Sequence, residues 1–459
     1  MIQKQALEIL KTGANVFLSG EPGSGKTYTV NQYVAYLRSQ KVEVAITAST
    51  GIAATHIGGM TIHSWSGIGI KRNLNKYDLD RISSNERVAK RIRNTKVLII
   101  DEVSMLGPKT LSMVEMVCRE VKQNHQAFGG LQVLLVGDFF QLPPVVKDLE
   151  GNTKTLIAEA VQRFAYEAPC WSKTKFITCY LTEQYRQDDR DFLSILSAIR
   201  RNSYDRTHHA HIEKRKITRE SVPDDIPRLF SHNEDVNRVN EEELDKLFEE
   251  EHIFEMTSHG VPPLVAALKK GCLSPEVLKL KVGAKVMFTK NNLQAGFVNG
   301  TLGEVQELNS FGSPVIRTRN NRNIVAEPMD WTVEEGGSVR ARISQVPLRL
   351  AWAITVHKSQ GMSLDAAVMD LSDVFEFGQG YVALSRVRRL SGLHILGWNK
   401  QTFQVHPDVL EKDVEFREMS EAARESFTKI SPNELADMHR NFIRAVGGKI
   451  NIVKSKNYK

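Results

Sequence analysis

Cysteine is scarce in this chain: four in 459 residues, Cys118, Cys170, Cys179 and Cys272. They lie far apart with no paired spacing, which argues against a zinc site and a disulfide framework and suits a reducing compartment. Long apolar runs are missing as well. None approaches the roughly 18 residues of a membrane-spanning helix, and the opening segment from Met1 to Leu7 lacks the apolar core of a signal peptide. A soluble cytoplasmic protein with no membrane partner is expected. No internal repeat or low-complexity tract stands out, and neither sign of charge dominates, with 61 Lys and Arg against 54 Asp and Glu and a formal net charge of +7. That balance does not by itself call for nucleic acid. What the chain does have is ordinary globular material: 41% of it is hydrophobic, and its length suggests roughly two to four domains, each able to form a core.

The stretch that organises the rest is Gly20-Glu21-Pro22-Gly23-Ser24-Gly25-Lys26-Thr27, between the apolar segment Asn15 to Leu18 and a helix-like run from Tyr28 to Ser39. A strand, a glycine-rich turn and a helix N-terminus leave backbone N–H groups pointing at one spot, which suits a phosphate. Gly23 and Gly25 let the backbone come close, Lys26 brings a cation to the β- and γ-phosphates, and the Thr27 hydroxyl suits Mg2+. Ser24 in the loop and Tyr28 just after it complete this candidate site for ATP.

Three further buried strands end in polar tips, where ligands sit in open α/β sheets. Val42 to Ala48 runs into Ser49-Thr50-Gly51, Val97 to Ile100 into Asp101-Glu102, and Leu131 to Val136 into a turn containing Gln141. Asp101 can hold the metal, Glu102 can orient or deprotonate a water, and Gln141 can touch a γ-phosphate or the attacking water. A glycine-rich stretch from Gly58 to Gly69 carries His63. The cation-rich segment after it predicts a small basic insert, about residues 64–95. Four strands with crossovers make a first lobe, residues 1–174. A second lobe, 175–400, is expected to open at the strand Phe176 to Leu181. Inside it, short β-like pieces from about 281 to 345 suggest a small inserted β-barrel. Charged amphipathic helices and a basic tail fill 401–459. Arg186 and Arg386 lie beyond the first lobe, so to reach its nucleotide they must cross a cleft, as arginine fingers do.

The order of these segments resembles the motif series of superfamily 1 DNA helicases of the PIF (petite integration frequency) type, akin to the RecD group. GEPGSGKT, TASTGIAA, IIDEVSM, GDFFQLPPV, LTEQYRQ, WAITVHKSQGMSLD and GYVALSRV resemble motifs I, Ia and II to VI. QAFGGLQVLLVGD resembles the signature of the type, with Ala127 where proline is expected. The resemblance implies an α/β fold of two RecA-like phosphate-loop lobes in tandem, with ATP and Mg2+ between them and single-stranded DNA across both. Tailed or forked duplex would be the substrate, movement would run 5′ to 3′, and a monomer would work once loaded. It also implies that Gln3 reads adenine, that Gly361 lies near the γ-phosphate with Gln141, Arg186 and Arg386, and that Thr50, Gly51, His63, Thr355, His357, Lys358 and Ser359 face DNA. The basic insert is then the candidate wedge. A RecD-like or conjugative-transfer motor shares most of these motifs, and a nucleotide-switched DNA-binding scaffold is the alternative from another class. A small-molecule kinase fits poorly with duplicated lobes.

Overall fold

The computed structural model describes residues 1–69, 71–144, 163–184, 189–223, 226–231, 233–292, 294–297, 299–318, 321–335, 338–356, 359 and 364–449. The first lobe is a parallel sheet of β1 (Val16–Gly20), β2 (Val44–Ala48), β3 (Met60–Thr61), β4 (Val97–Asp101), β5 (Gln132–Val136) and β6 (Ile177–Leu181), in the order β3-β2-β4-β5-β1-β6. Successive side chains of a strand point to opposite faces, and the apolar runs fill both. Val16, Leu18, Ile99 and Leu134 meet α1 (Gln3–Lys11) and α2 (Lys26–Ser39) through Ile9, Leu10, Tyr33 and Leu37. Phe17, Leu98, Ile100 and Leu135 meet α7 (Pro108–Lys122) through Leu111, Val114, Val117 and Val121.

The sheet corrects two expectations. It has six strands rather than four, because Met60–Thr61 adds a short strand at one edge and Ile177–Leu181 adds another at the opposite edge. Ile177–Leu181, expected to open the second lobe, pairs in parallel with β1, Val16 opposite Ile177 through Gly20 opposite Leu181. Its apolar texture would suit either sheet, and only pairing decides between them. The first lobe therefore runs past residue 174.

After β2 come α3 (Gly51–His56), α4 (Ile62–Ser66), α5 (Lys76–Ser83) and α6 (Glu86–Asn94). Asn75 and Asn85 cap the last two helices, accepting from Asp78 N at 2.8 Å and Val88 N at 3.2 Å. Ile82, Ala89 and Ile92 point inward to the core that α7 covers, while Arg81, Arg87, Lys90 and Arg93 stay exposed. The basic insert is thus a packed helix pair with a solvated cationic face.

Beyond α8 (Pro169–Thr174), β6, α9 (Arg190–Arg200) and α10 (Arg206–Glu213), the second lobe is built on four parallel strands. They are β7 (Arg228–Phe230), β18 (Ala353–Thr355), β19 (Ala367–Leu371) and β20 (Leu393–Trp398), in the order β18-β7-β19-β20, with α11 (Asn233–Asp245) and α13 (Gln379–Leu384).

The insert between β7 and β18 is larger than its sequence texture suggested. β11 (Lys285–Phe288), β12 (Leu302–Leu308), β13 (Pro314–Thr318) and β14 (Asn323–Val325) fall where short strands were expected, and β17 (Leu348–Leu350) extends them into an antiparallel sheet, β14-β13-β12-β11-β17. Val286, Phe288, Val305 and Ile316 form its core. Among the described residues no ladder joins β14 to β17, so the insert stands here as a five-stranded sheet. Beside it lie the pair β8 (His252–Glu255) and β10 (Val277–Leu280), α12 (Pro262–Gly271), and the ribbon of β9 (Thr257–Gly260), β15 (Met329–Glu335) and β16 (Ser338–Gln345).

The C-terminal helices return to the first lobe. Phe416 of α14 (Pro407–Thr428) packs among Phe17, Phe139 and Trp171, and Ser420 Oγ accepts from Tyr180 N at 2.9 Å on β6. An edge strand presents unpaired amides, and α14 covers this one. Ile443 of α15 (Pro432–Ala445) joins the α1–α2 cluster.

Candidate active site

The phosphate loop leaves β1 and enters α2 through Gly25, the helix N-cap, at φ 87°. A Cβ there would also lie 1.9 Å from Gln3 Nε2, so glycine both permits the turn and lets Gln3 lie across the loop. Gln3 Nε2 donates to the Ser24 carbonyl at 3.1 Å. Lys26 Nζ donates to the Gly20 and Glu21 carbonyls at 2.7 and 3.1 Å, which keeps the ammonium over the loop. Ser24 Oγ is buried without a hydrogen-bond partner, while Thr27 and Tyr28 are exposed at the start of α2. A buried orphan hydroxyl inside a cradle of glycine backbone suits a phosphate ligand.

Asp101 ends β4, and its Oδ1 accepts from Glu102 N at 2.8 Å. Burial raises its pKa, against the pull of that amide and of Lys26. Glu102 is pushed up to about 7, chiefly by burial and then by Asp101, while Lys26 and Arg386 pull it back. Its backbone is left-handed, φ 53° and ψ 46°, a strained choice for a residue with a side chain and one that clusters at functional sites. A hydroxyl such as Thr27's and a carboxylate such as Asp101's are the kinds of oxygen donor that Mg2+ can use when phosphates and water supply its other ligands.

Arg386 comes from the second lobe, just after α13, and is only 1% exposed. Its Nε donates to the Val382 carbonyl at 2.8 Å and a terminal nitrogen to Ser385 Oγ at 2.7 Å. It is near enough to Glu102 to lower that carboxyl's pKa. The lobes meet beside it. Gly378, the N-cap of α13, sits so close to the turn carrying Gln141 that a Cβ would lie 2.4 Å from the Phe140 carbonyl. Gln141 itself is buried.

The other expected residues divide. Thr50 Oγ1 accepts from Ala53 N at 3.2 Å at the head of α3, with Gly51 next to it. His63 is partly buried on α4, which lowers its pKa. Thr355 and Ser359 are not at the surface: they are 2% and 0% exposed, and Ser359 Oγ donates to the Val356 carbonyl at 2.7 Å. Thr355 ends β18, and the Ser359 hydroxyl belongs to the turn that follows, because a hydroxyl beside a strand end is claimed by a nearby carbonyl. Arg186, His357, Lys358 and Gly361 lie outside the described residues.

One constellation escaped the sequence analysis. Arg200, at the end of α9 and 1% exposed, donates to both carboxylate oxygens of Asp138 at 2.8 Å. It also donates to Tyr180 Oη at 2.7 Å and to Tyr381 Oη at 3.3 Å, lies 3.5 Å from Asp413, and stacks over the Phe140 ring at 4.0 Å. Burial works against its charge, but Asp138 and the groups beside it outweigh that and hold its pKa well above the ordinary value. The network ties the tip of β5, β6, α13 and α14 together at the lobe junction. Its one signal in the sequence is a cation closing the apolar helix face Phe192, Ile195, Leu196 and Ile199.

A family model described as PIF1-like helicase matches residues 2–206, and one for the 2B domain of the DNA helicase Pif1 matches residues 264–308. The ATP-dependent DNA helicase Pif1 of Psychrobacter is 41% identical over 98% of this chain and 76% of its own length. Bacteroides Pif1 in complex with ADP-AlF4 is similar in structure with a TM-score of 0.78 at 30% identity, covering 91% of this chain and 96% of that one. The Bacteroides enzyme with ADP-AlF3 and single-stranded DNA matches at a TM-score of 0.64 and 30% identity, covering 92% and 97%. Identity that runs through nearly the whole chain, joined to the two-lobe architecture and the phosphate loop at its cleft, places this chain in the PIF1-like helicase family.

Proposed function

We infer that this chain is an ATP-dependent DNA helicase that hydrolyses ATP between its lobes and moves 5′ to 3′ on single-stranded DNA, parting tailed or forked duplex. Arg386 is the observation that carries the reading, because a second-lobe guanidinium beside the first-lobe Glu102 makes turnover depend on how the lobes meet. In this scheme the loop amides and Lys26 bind the β- and γ-phosphates and Gln3 lies towards the base. Thr27 and Asp101 hold Mg2+, which when bound offsets charge on the phosphate oxygens. Glu102 takes the proton of the attacking water, with Gln141 positioning that water. Arg386, and Arg186 by family resemblance, offsets the charge that spreads over the γ-phosphoryl oxygens, a contribution of about 10³–10⁵ in rate.

Thr50, Gly51 and His63 at the first-lobe strand tips, with His357 and Lys358 from the second, are proposed to hold the phosphodiester; Thr355 and Ser359 support their turn. Such contacts carry no base information, so the motor takes any sequence. The α5–α6 pair is proposed as the wedge and the five-stranded insert as the piece that closes over the strand. Each base-pair step costs a mean of about 1.4 kcal/mol to part. A single copy is taken as the working unit, and cytoplasm as its compartment.

Unwinding of matched 5′- and 3′-tailed duplexes with ATP tests the reading. Displacement from the 5′-tailed substrate alone is expected. Displacement from the 3′-tailed one reverses the polarity, and ATP turnover stimulated by DNA without displacement leaves the scaffold alternative.

A further inference from the structure

Arg349 has no task in this scheme. It lies on β17, where its backbone pairs with Met287 of β11, and it is 9% exposed. Its Nε has no hydrogen-bond partner, and no ion pair reaches its guanidinium among the described residues. Burial pushes its pKa down to about 10, and among the described residues no charged neighbour offsets that. A guanidinium still keeps its proton at neutral pH, so here a charge is largely buried with no counter-charge among the described residues. Native structures seldom leave such a group unmatched unless water, an ion or a ligand completes it.

Arg349 is among the residues that line a cavity of about 400 Å3 between α11, α12 and the β10–β17 edge. Of the other charges there, Lys269 and Lys279 are already matched, by Glu276 at 2.6 Å and Glu251 at 3.0 Å. With Glu276 taken up by Lys269, buried Arg349 and exposed Lys270 remain against Glu241. The cavity therefore keeps a surplus of positive charge around a buried fork of donors, the geometry that matches a phosphate. Its position points to the source. α12 ends against α3, so tightly that a Cβ on Gly51 would lie 2.9 Å from Gly271 Cα. The rim at Lys270 thus adjoins the Thr50–Gly51 turn, where the first lobe is proposed to hold the strand.

We propose, resting on the helicase reading, that this cavity takes one phosphate of the bound strand, with Arg349 as its buried counter-charge and Lys270 at the mouth. The strand then has a grip on the inserted sheet as well as on the two lobes, anchored by an arginine that the unliganded protein leaves unmatched.

Equilibrium binding of a fluorescent oligothymidylate to the full chain without nucleotide, over a range of salt, tests this with wild type, Arg349→Met and Arg349→Lys. A lost phosphate contact on a single strand should reduce the slope of log K against log salt by about 0.7. That reduction is expected in Arg349→Met and not in Arg349→Lys. Without DNA, Arg349→Met should melt above wild type, since it removes an unmatched charge. An unchanged slope overturns the site, and so does a lower melting temperature, which would mark a structural arginine. Inorganic phosphate, at matched ionic strength, distinguishes the other source. If it stabilises wild type but not Arg349→Met while the slope is unchanged, the cavity binds a free anion and the strand assignment falls. A wild type that binds no oligonucleotide overturns the helicase reading and this site with it; a wild type that binds normally beside an unaltered Arg349→Met slope sinks the site alone.

Discussion

Arg200 and Arg349 are both buried, under opposite conditions. Arg200 meets both oxygens of Asp138, two tyrosine hydroxyls, the Asp413 carboxylate and the Phe140 ring. Arg349 meets no carboxylate among the described residues, and its Nε is unbonded. Desolvation penalises each alike, so the difference lies in what offsets it. Where the fold itself supplies the counter-charge, the arginine is a pivot joining four elements. Where it does not, the arginine marks a place for something the fold does not contain. Arg386 stands between them, held by its own helix end at Val382 and Ser385 yet acting on Glu102 across the lobe junction.

The largest effect should come from Arg386. Arg386→Ala is expected to cut ATP turnover about 10³- to 10⁵-fold while nucleotide binding persists, as single-turnover kinetics beside a fluorescent-nucleotide titration would show. Equal loss of both would make Arg386 a packing residue like Arg200. Glu102→Gln comes next, with turnover lower by about 10²- to 10⁴-fold. With its carboxyl near 7, Glu102 is protonated below that value and cannot accept the water's proton. In wild type kcat/KM for ATP should therefore rise with pH through about 7 and flatten above, and a flat profile would remove it as the base. The same shift sets stability. A carboxyl raised from 4.5 favours the fold below 4.5, and that contribution is lost as pH rises through about 7. Glu102→Gln should then melt above wild type at pH 8 and alike near pH 4.

Arg200→Met should cost about 3–5 kcal/mol of stability, because it strands the Asp138 carboxylate in the interior. Pairing it with Asp138→Leu should recover much of that loss in a denaturation cycle; additive losses would mean that the bridge is not the pivot. The smallest expected effect is at Arg349, where the change to Met should stabilise the unliganded chain by about 1–3 kcal/mol, read by the same denaturation. If Arg200→Met and Arg349→Met proved alike in sign, the contrast between the two would disappear.

Much of the site was legible without coordinates. A phosphate loop needs its glycines, lysine and hydroxyl at adjacent positions, so Gly23, Gly25, Lys26 and Thr27 announce themselves, and buried strands with acidic tips do the same for Asp101 and Glu102. That Thr355 and Ser359 are buried was not legible, since nothing in the order of residues says that Ser359 faces the Val356 carbonyl. The Arg200 network was missed altogether, its members being spread from Asp138 to Asp413.

By itself, the sequence determined the chemistry that is local along the chain: the phosphate cradle, the acidic pair at the end of β4 and the order of the helicase motifs. Tertiary structure alone decided that Ile177–Leu181 closes the first sheet, that α14 turns back to cover its edge, that Arg386 comes near enough to Glu102 to lower its pKa, and that Arg200 is matched while Arg349, among the described residues, is not. Adjacent residues reveal a site when one turn of backbone builds it. A charge buried between elements hundreds of residues apart depends on the path of the whole chain, because only packing sets which carboxylate arrives beside it and which never does.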